Sequence, residues 1–153
     1  MKQSLCVLLL MTFLGTGCAM PGSPLSQERA VPAAMIADGR RLAKERNFAQ
    51  AVAVYRLILH DHPSSSAAPE AKYGIAMVYV SADNPRRDYA IAVAELDEFL
   101  TQYPQDERAD EARSWRQAIK VILETRKENE RLNRNIEKLK QLDMRQEEKR
   151  LGR

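Results

Sequence analysis

Residues 47–73 read NFAQAVAVYRLILHDHPSSSAAPEAKY, and residues 88–114 read DYAIAVAELDEFLTQYPQDERADEARS. The second stretch lies over the first at a constant offset of 41, without a gap. Ala49/Ala90, Ala51/Ala92, Val52/Val93, Ala53/Ala94, Leu59/Leu100, Pro63/Pro104, Ala68/Ala109, Glu70/Glu111 and Ala71/Ala112 are identical. Phe48/Tyr89 and Lys72/Arg113 are near matches. A repeat of this size implies stacked units, because each unit carries an apolar face that it buries only against the next. In the first copy Val52, Tyr55, Ile58 and Leu59 form a stripe; in the second Val93, Leu96 and Leu100 do so, with Phe99 beside them. Spacings of three and four place each stripe on one helix face. Ala51 and Ala92 let two helices approach closely. Pro63 and Pro104 stop their helices, because the residue before a proline is pushed out of helical geometry.

On these residues the unit resembles a tetratricopeptide repeat. That family places a glycine in the first helix, a small residue and an aromatic in the second, and a proline after it. Gly39, Ala51, Tyr55 and Pro63 stand so in the first unit, with Leu42 in its first helix; Gly74, Ala92, Leu96 and Pro104 follow in the second. The stretch from Gly74 to Ala92 is six residues longer than that from Gly39 to Ala51, and the extra residues fall around Ser81–Asp88 (SADNPRRD). Loops of helical repeats absorb such insertions. The resemblance covers about residues 33–123 and extends to the repeat lipoproteins of the β-barrel assembly machinery and to the Tol–Pal-associated repeat proteins. It implies an all-α fold: a short tetratricopeptide-like helical-hairpin array followed by a long C-terminal helix. It also implies a groove lined by first helices, roughly 33–46 and 70–80, that takes a peptide or a helix.

The pattern predicts five helices, at about 32–46, 48–61, 67–81, 87–102 and 107–148. Two full units fall short of the three that a stable array needs. The fifth helix is therefore expected to serve as a third first-helix and as the cap, docking through Ala109, Ala112, Trp115, Ile119 and Ile122. Trp115 is read as core, with an interaction hot spot as the alternative.

From Lys120 onward there is no proline, and no glycine before Gly152. A helix over 107–148 would be about 60 Å long at 1.5 Å per residue. Beyond Leu123 its apolar residues thin to Leu132, Ile136, Leu139, Leu142, Met144 and Leu151. Leu132, Ile136 and Leu139 have coiled-coil spacing, flanked in the seam by the polar Asn129 and Asp143. Two readings stand side by side. One is a solvated, charge-laced tail. The other is a docking helix for another envelope protein or a second copy of the chain, with Leu132, Ile136, Leu139 and Leu142 as partner-binding residues. The run LKQLDMRQEEKR at 139–150 is also similar in layout to the tail of the QseG (YfhG) group, periplasmic lipoproteins that partner sensor kinases.

The N-terminus has the layout of an export signal: Met1-Lys2, then an uncharged run from Ser4 to Leu14, then Gly15-Thr16-Gly17-Cys18. The apolar run is too short to span a membrane, which takes about 20 residues. Its end resembles a bacterial lipobox, with cleavage before Cys18 and acylation of that cysteine. The alternative is an ordinary secreted protein, but no Ala-x-Ala-like site precedes the polar stretch. Removal of Cys6 and acylation of Cys18 would leave no thiol for a disulfide. Several acyl chains hold far better than one, since each buried CH₂ contributes about 0.8 kcal/mol. Ala19 follows the cysteine in place of the Asp that retains many lipoproteins in the inner membrane. The resemblance thus implies an outer-membrane anchor facing the periplasm, and Pro21-Gly22-Ser23-Pro24 reads as a tether.

Composition narrows the chemistry. The 153 residues are 44% apolar and 29% charged, enough to bury one core. The net charge of +3 is too balanced for a nucleic-acid binder driven by phosphate neutralisation. His60-Asp61-His62 is the one cluster that suggests a metal, yet two histidines two apart on a helix point different ways and no third ligand is apparent. Glu70 and Glu111 recur in both copies, which favours a structural role at helix starts. There is no glycine-rich phosphate loop and no Ser or Cys nucleophile beside a base.

The expected organisation is a signal peptide at 1–17, a lipidated N-terminus and tether at 18–31, a repeat domain at 32–123 and a polar helix at 124–153. The expected role is a non-enzymatic scaffold for envelope proteins, without metal or cofactor, held to the membrane by its acyl anchor and not binding nucleic acid. A regulator of a sensor kinase acting through the C-terminal helix is the alternative, and an envelope enzyme using His60 or His62 the third.

Overall fold

The computed structural model describes residues 24–152; the expected signal segment and Cys18 lie outside the described residues. Five helices follow one another: α1 Pro24–Lys44, α2 Phe48–Asp61, α3 Ala68–Val80, α4 Tyr89–Gln102 and α5 Ala109–Arg150. Among the described residues there is no strand. The fold is all-α, a short array of helices ending in one long helix. Four of the helices lie close to their expected bounds. The first begins at Pro24 rather than near 32, so residues 24–31, read from sequence as tether, are helical, and Pro32 sits inside the helix. A proline suits the first helical position, and the Leu, Gln, Glu and Arg that follow favour helix.

Residues from Pro32 onward form a compact unit, in which α2 packs on α3, α3 on α4, and α4 on α5. The repeat in sequence is a repeat in hydrogen bonds. The His62 amide donates to Ile58 O at 2.9 Å, and the Tyr103 amide to Phe99 O at 2.8 Å. Ser65 N–H donates to His62 O at 3.0 Å and Asp106 N–H to Tyr103 O at 3.2 Å; Ala68 N–H then reaches Ser65 O and Ala109 N–H reaches Asp106 O. Each pair is separated by the same offset. Pro63 and Pro104 enforce this turn by ending the helix before them.

The third helix is apolar nearly all round because both of its sides are covered. On one side Ala71, Ile75 and Val78 join Ile36, Leu42, Phe48, Val52, Tyr55 and Ile58. On the other, Ala76 joins Ala92, Leu96, Phe99, Ala112 and Ile119. The Phe99 ring lies 5.6 Å from Tyr73 and 5.8 Å from Tyr103, both tilted. Gly39 of α1 and Gly74 of α3 face opposite edges of the Tyr55 ring, so the two helices close on one aromatic.

The start of α5 repeats α3. Ala109, Ala112 and Ile119 are buried as Ala68, Ala71 and Val78 are. Trp115 and Ile122 do not join them, contrary to the docking face expected from sequence; they are exposed. Leu123 packs against the core instead, and Arg116 pairs with Asp97 of α4 at 3.0 Å. At about 100° per residue, positions 112, 116, 119 and 123 share a face, while 115 and 122 lie one step around from it.

Candidate interaction surfaces

From Glu124 to Gly152 every residue is exposed. The Arg126 guanidinium stands 4.9 Å from the centre of the Tyr89 ring, where α5 passes the start of α4. Past that contact, residues 127–150 project by about 36 Å. Ion pairs one turn apart support this stretch: Arg131–Glu128 at 2.6 Å, Lys140–Glu137 at 2.9 Å and Arg150–Glu147 at 3.5 Å. Arg131 beside Glu128 holds that carboxyl below its usual range. Exposed pairs of this kind each contribute little, because solvent screens them.

The projecting helix carries an apolar line. Leu132, Ile136 and Leu139 share a face, and Leu142 lies on its flank, about 80° around from Leu132. Trp115 and Ile122 stand nearer the array at heptad spacing from Ile136, about 60° and 40° around the helix from it. These five residues, Trp115, Ile122, Leu132, Ile136 and Leu139, are 37–61% exposed. The sequence pattern misassigned Trp115 and Ile122 because two series with identical spacing lie side by side along α5.

A second surface gathers charged residues of the first helices. Arg40 of α1 pairs with Glu70 of α3, and Arg108 Nη1 reaches the other Glu70 oxygen at 3.5 Å. Arg108 in turn grips Asp106, Nε to Oδ1 at 2.8 Å and Nη2 to Oδ2 at 2.9 Å. This chain ties α1, α3 and the turn before α5. Its charges are largely spent on one another. The Arg108 guanidinium holds the Asp106 carboxyl below its usual range. Beside it the Tyr73 hydroxyl is buried without a hydrogen-bond partner, and burial, reinforced by the nearby Glu111, pushes its pKa up.

A third feature is the hollow between the start of α2 and the loop 81–88. Phe48, Val52, Val78 and Tyr79 form its apolar wall, with Arg56 and Arg86 at the rim. Asn84 shapes it. This residue is buried; its Nδ2 donates to Val78 O at 2.9 Å and its Oδ1 accepts from Arg86 N–H at 2.9 Å. Asp88 then caps α4, its side chain accepting from Ala90 and Ile91 N–H at 2.8 and 3.0 Å. The inserted residues therefore end one helix and start the next. Sequence reading marked the insertion but missed Asn84, for which the DNP turn was the available signal.

His60 is exposed, with its Nδ1 2.6 Å from Asp61 Oδ1. Among the described residues no group of three His, Cys, Asp or Glu side chains is placed to hold a metal ion. Among them, too, no helix is long and apolar enough to cross a membrane. No protein-family model matches the chain, nor does any curated protein or solved structure.

Proposed function

We propose that this protein is a non-enzymatic lipoprotein that holds other proteins of the cell envelope, anchored in the outer membrane through Cys18 and facing the periplasm. The observation that carries the reading is the exposed apolar line on α5, extended away from the array on a helix braced by its own ion pairs. Apolar side chains at helical spacing on a projecting helix offer a face that another helix can cover. The tetratricopeptide-like reading of the array is supported by the meeting of Gly39, Gly74 and Tyr55, three of the residues on which the resemblance rests. The export signal and lipobox-like ending at Cys18 support the anchor.

Labelled palmitate tests the anchor: it is expected to enter the wild type and not the Cys18→Ser variant, which should leave the membrane fraction. Crosslinking in intact cells tests the holding role. Loss of captured envelope proteins on deleting residues 127–153, with the array's thermal melt unchanged, assigns capture to α5. Unchanged capture assigns it to the first-helix groove. A wild type that captures nothing in either case refutes the reading. The projection of α5 also favours a second reading, regulation of a sensor kinase by that helix; capture of a kinase, lost with the same deletion, would select it.

A further inference from the structure

We propose that the exposed line on α5 pairs with its counterpart in a second copy of this chain, as a short parallel two-stranded coiled coil over residues 122–142, ended by the charged Asp143 at the next seam position. The inference rests on the reading of α5 as a contact surface and names its occupant.

The tertiary structure supplies the missing length. Leu132, Ile136 and Leu139 alone make too short a seam. Because Ile122 is exposed rather than docked, the seam runs back through Thr125 and Asn129 to Ile122. That yields three heptads, the lower limit for a coiled coil. The helix α4 lies against the neighbouring face, at Ala112, Arg116, Ile119 and Leu123, so the array flanks the seam without covering it.

The residues at the two kinds of seam position choose the partner. One kind holds Ile122, Asn129 and Ile136; the other holds Thr125, Leu132 and Leu139. A β-branched residue at the first kind and leucine at the second favour two parallel strands. A single asparagine at the first kind fixes register and strand number, because it is satisfied only by the same asparagine opposite. Asn129 is that residue.

The flanks agree with the parallel arrangement. In it Glu128 faces Asn133 of the second copy and Asn135 faces Lys140 of the second copy, so no like charges meet across these flanks. An antiparallel pair centred on Leu132 and Ile136 would set Arg126 against Lys140 twice. Like-charge juxtaposition disfavours that alternative.

The test uses the full chain with Cys6→Ser and Cys18→Ser. Sedimentation equilibrium is expected to show a reversible monomer–dimer equilibrium. Ile136→Lys should weaken it by about tenfold or more, since it buries an unpaired charge, with the helical circular-dichroism signal retained. Independently, Asn129→Cys in that background should form a disulfide-linked dimer on mild oxidation. A monomer at all concentrations without crosslinking overturns the proposal. So does a trimer or tetramer, or crosslinking only when Asn129→Cys is mixed with Leu139→Cys, which marks an antiparallel pair. None of these readouts involves lipid or another envelope protein. Failure to capture envelope proteins in cells would refute the holding role while leaving the dimer intact.

Discussion

The ring of Tyr55 leaves no room for a side chain at Gly74. A methyl group there would stand 2.8 Å from Tyr55 Cε2, and one at Gly39 would overlap Cε1 on the opposite edge. The ring, 4% exposed, cannot retreat from one glycine without pressing on the other. Two helices contribute glycine because the helix between them contributes a large aromatic. In the second copy Leu96 replaces the tyrosine at the same offset.

Gly74→Ala is therefore expected to destabilise the protein despite alanine's better helix propensity. Overpacking of a filled core costs about 1–3 kcal/mol, and the propensity gain offsets about 1 kcal/mol of it. Tyr55→Leu should relieve the overlap, so the double variant should be less destabilised than the two single changes summed. Urea denaturation of the four proteins gives the coupling directly.

Asn84→Ala should lower stability by about 1–3 kcal/mol, the usual effect of leaving buried backbone groups unpaired. Val78 O and Arg86 N–H each lose a partner. Amide exchange should accelerate through the loop 81–88 before it does so in α2. Uniform acceleration across all helices would contradict a local role.

Arg46 adopts a left-handed backbone, φ 63°, at the end of α1. Its N–H donates to Ala43 O and the Asn47 N–H to Leu42 O, the paired bonds of a helix terminus that favours glycine. An L side chain in this conformation costs roughly 1–2 kcal/mol. Arg46 also meets Asp83 at 3.1 Å, but both side chains are about two-thirds exposed, 65% and 67%, so the pair adds only about 0–1 kcal/mol. Arg46→Gly is expected to raise the melting temperature by a few degrees. A fall would mean that the ion pair outweighs the backbone strain.

Two groups set opposite limits on stability with pH. The Asp106 carboxyl is held down by Arg108, so its contribution is present above the ordinary aspartate value of about 3.9 and is lost as pH falls through the lower folded value. The destabilisation by Asp106→Asn should then be constant above about pH 5 and vanish in stronger acid. Lys72 behaves in reverse. Burial pushes its pKa down, but the hydrogen bonds it donates to Glu95 and Glu98 outweigh that and leave it raised. Its contribution is present below the ordinary lysine value of about 10.4 and is lost as pH rises through the folded one. Denaturation midpoints of Lys72→Met and wild type should converge in strong alkali.

Much of the array was legible in the sequence because its signals are local. The offset between Ala51 and Ala92, and between Pro63 and Pro104, reports the same turn and the same close helix approach in both copies. The role of Asn84 was not legible, because its partners are backbone groups brought near only by the folded loop. The start of α1 was misjudged because Pro32 reads equally well as the opening of a helix and as a residue inside one.

The sequence by itself determined the helical hairpins, their repetition and the long terminal helix, since periodicity, helix propensity and proline placement act within a few residues. Only the tertiary structure decided which stripe of α5 meets the array. Two series, through Ala112 and Ile119 and through Trp115 and Ile122, have the same spacing of seven. The first is chosen because small alanines let α4 approach, whereas an indole at the contact would hold it off. That choice leaves Ile122 exposed and lengthens the free seam that ends at Leu139.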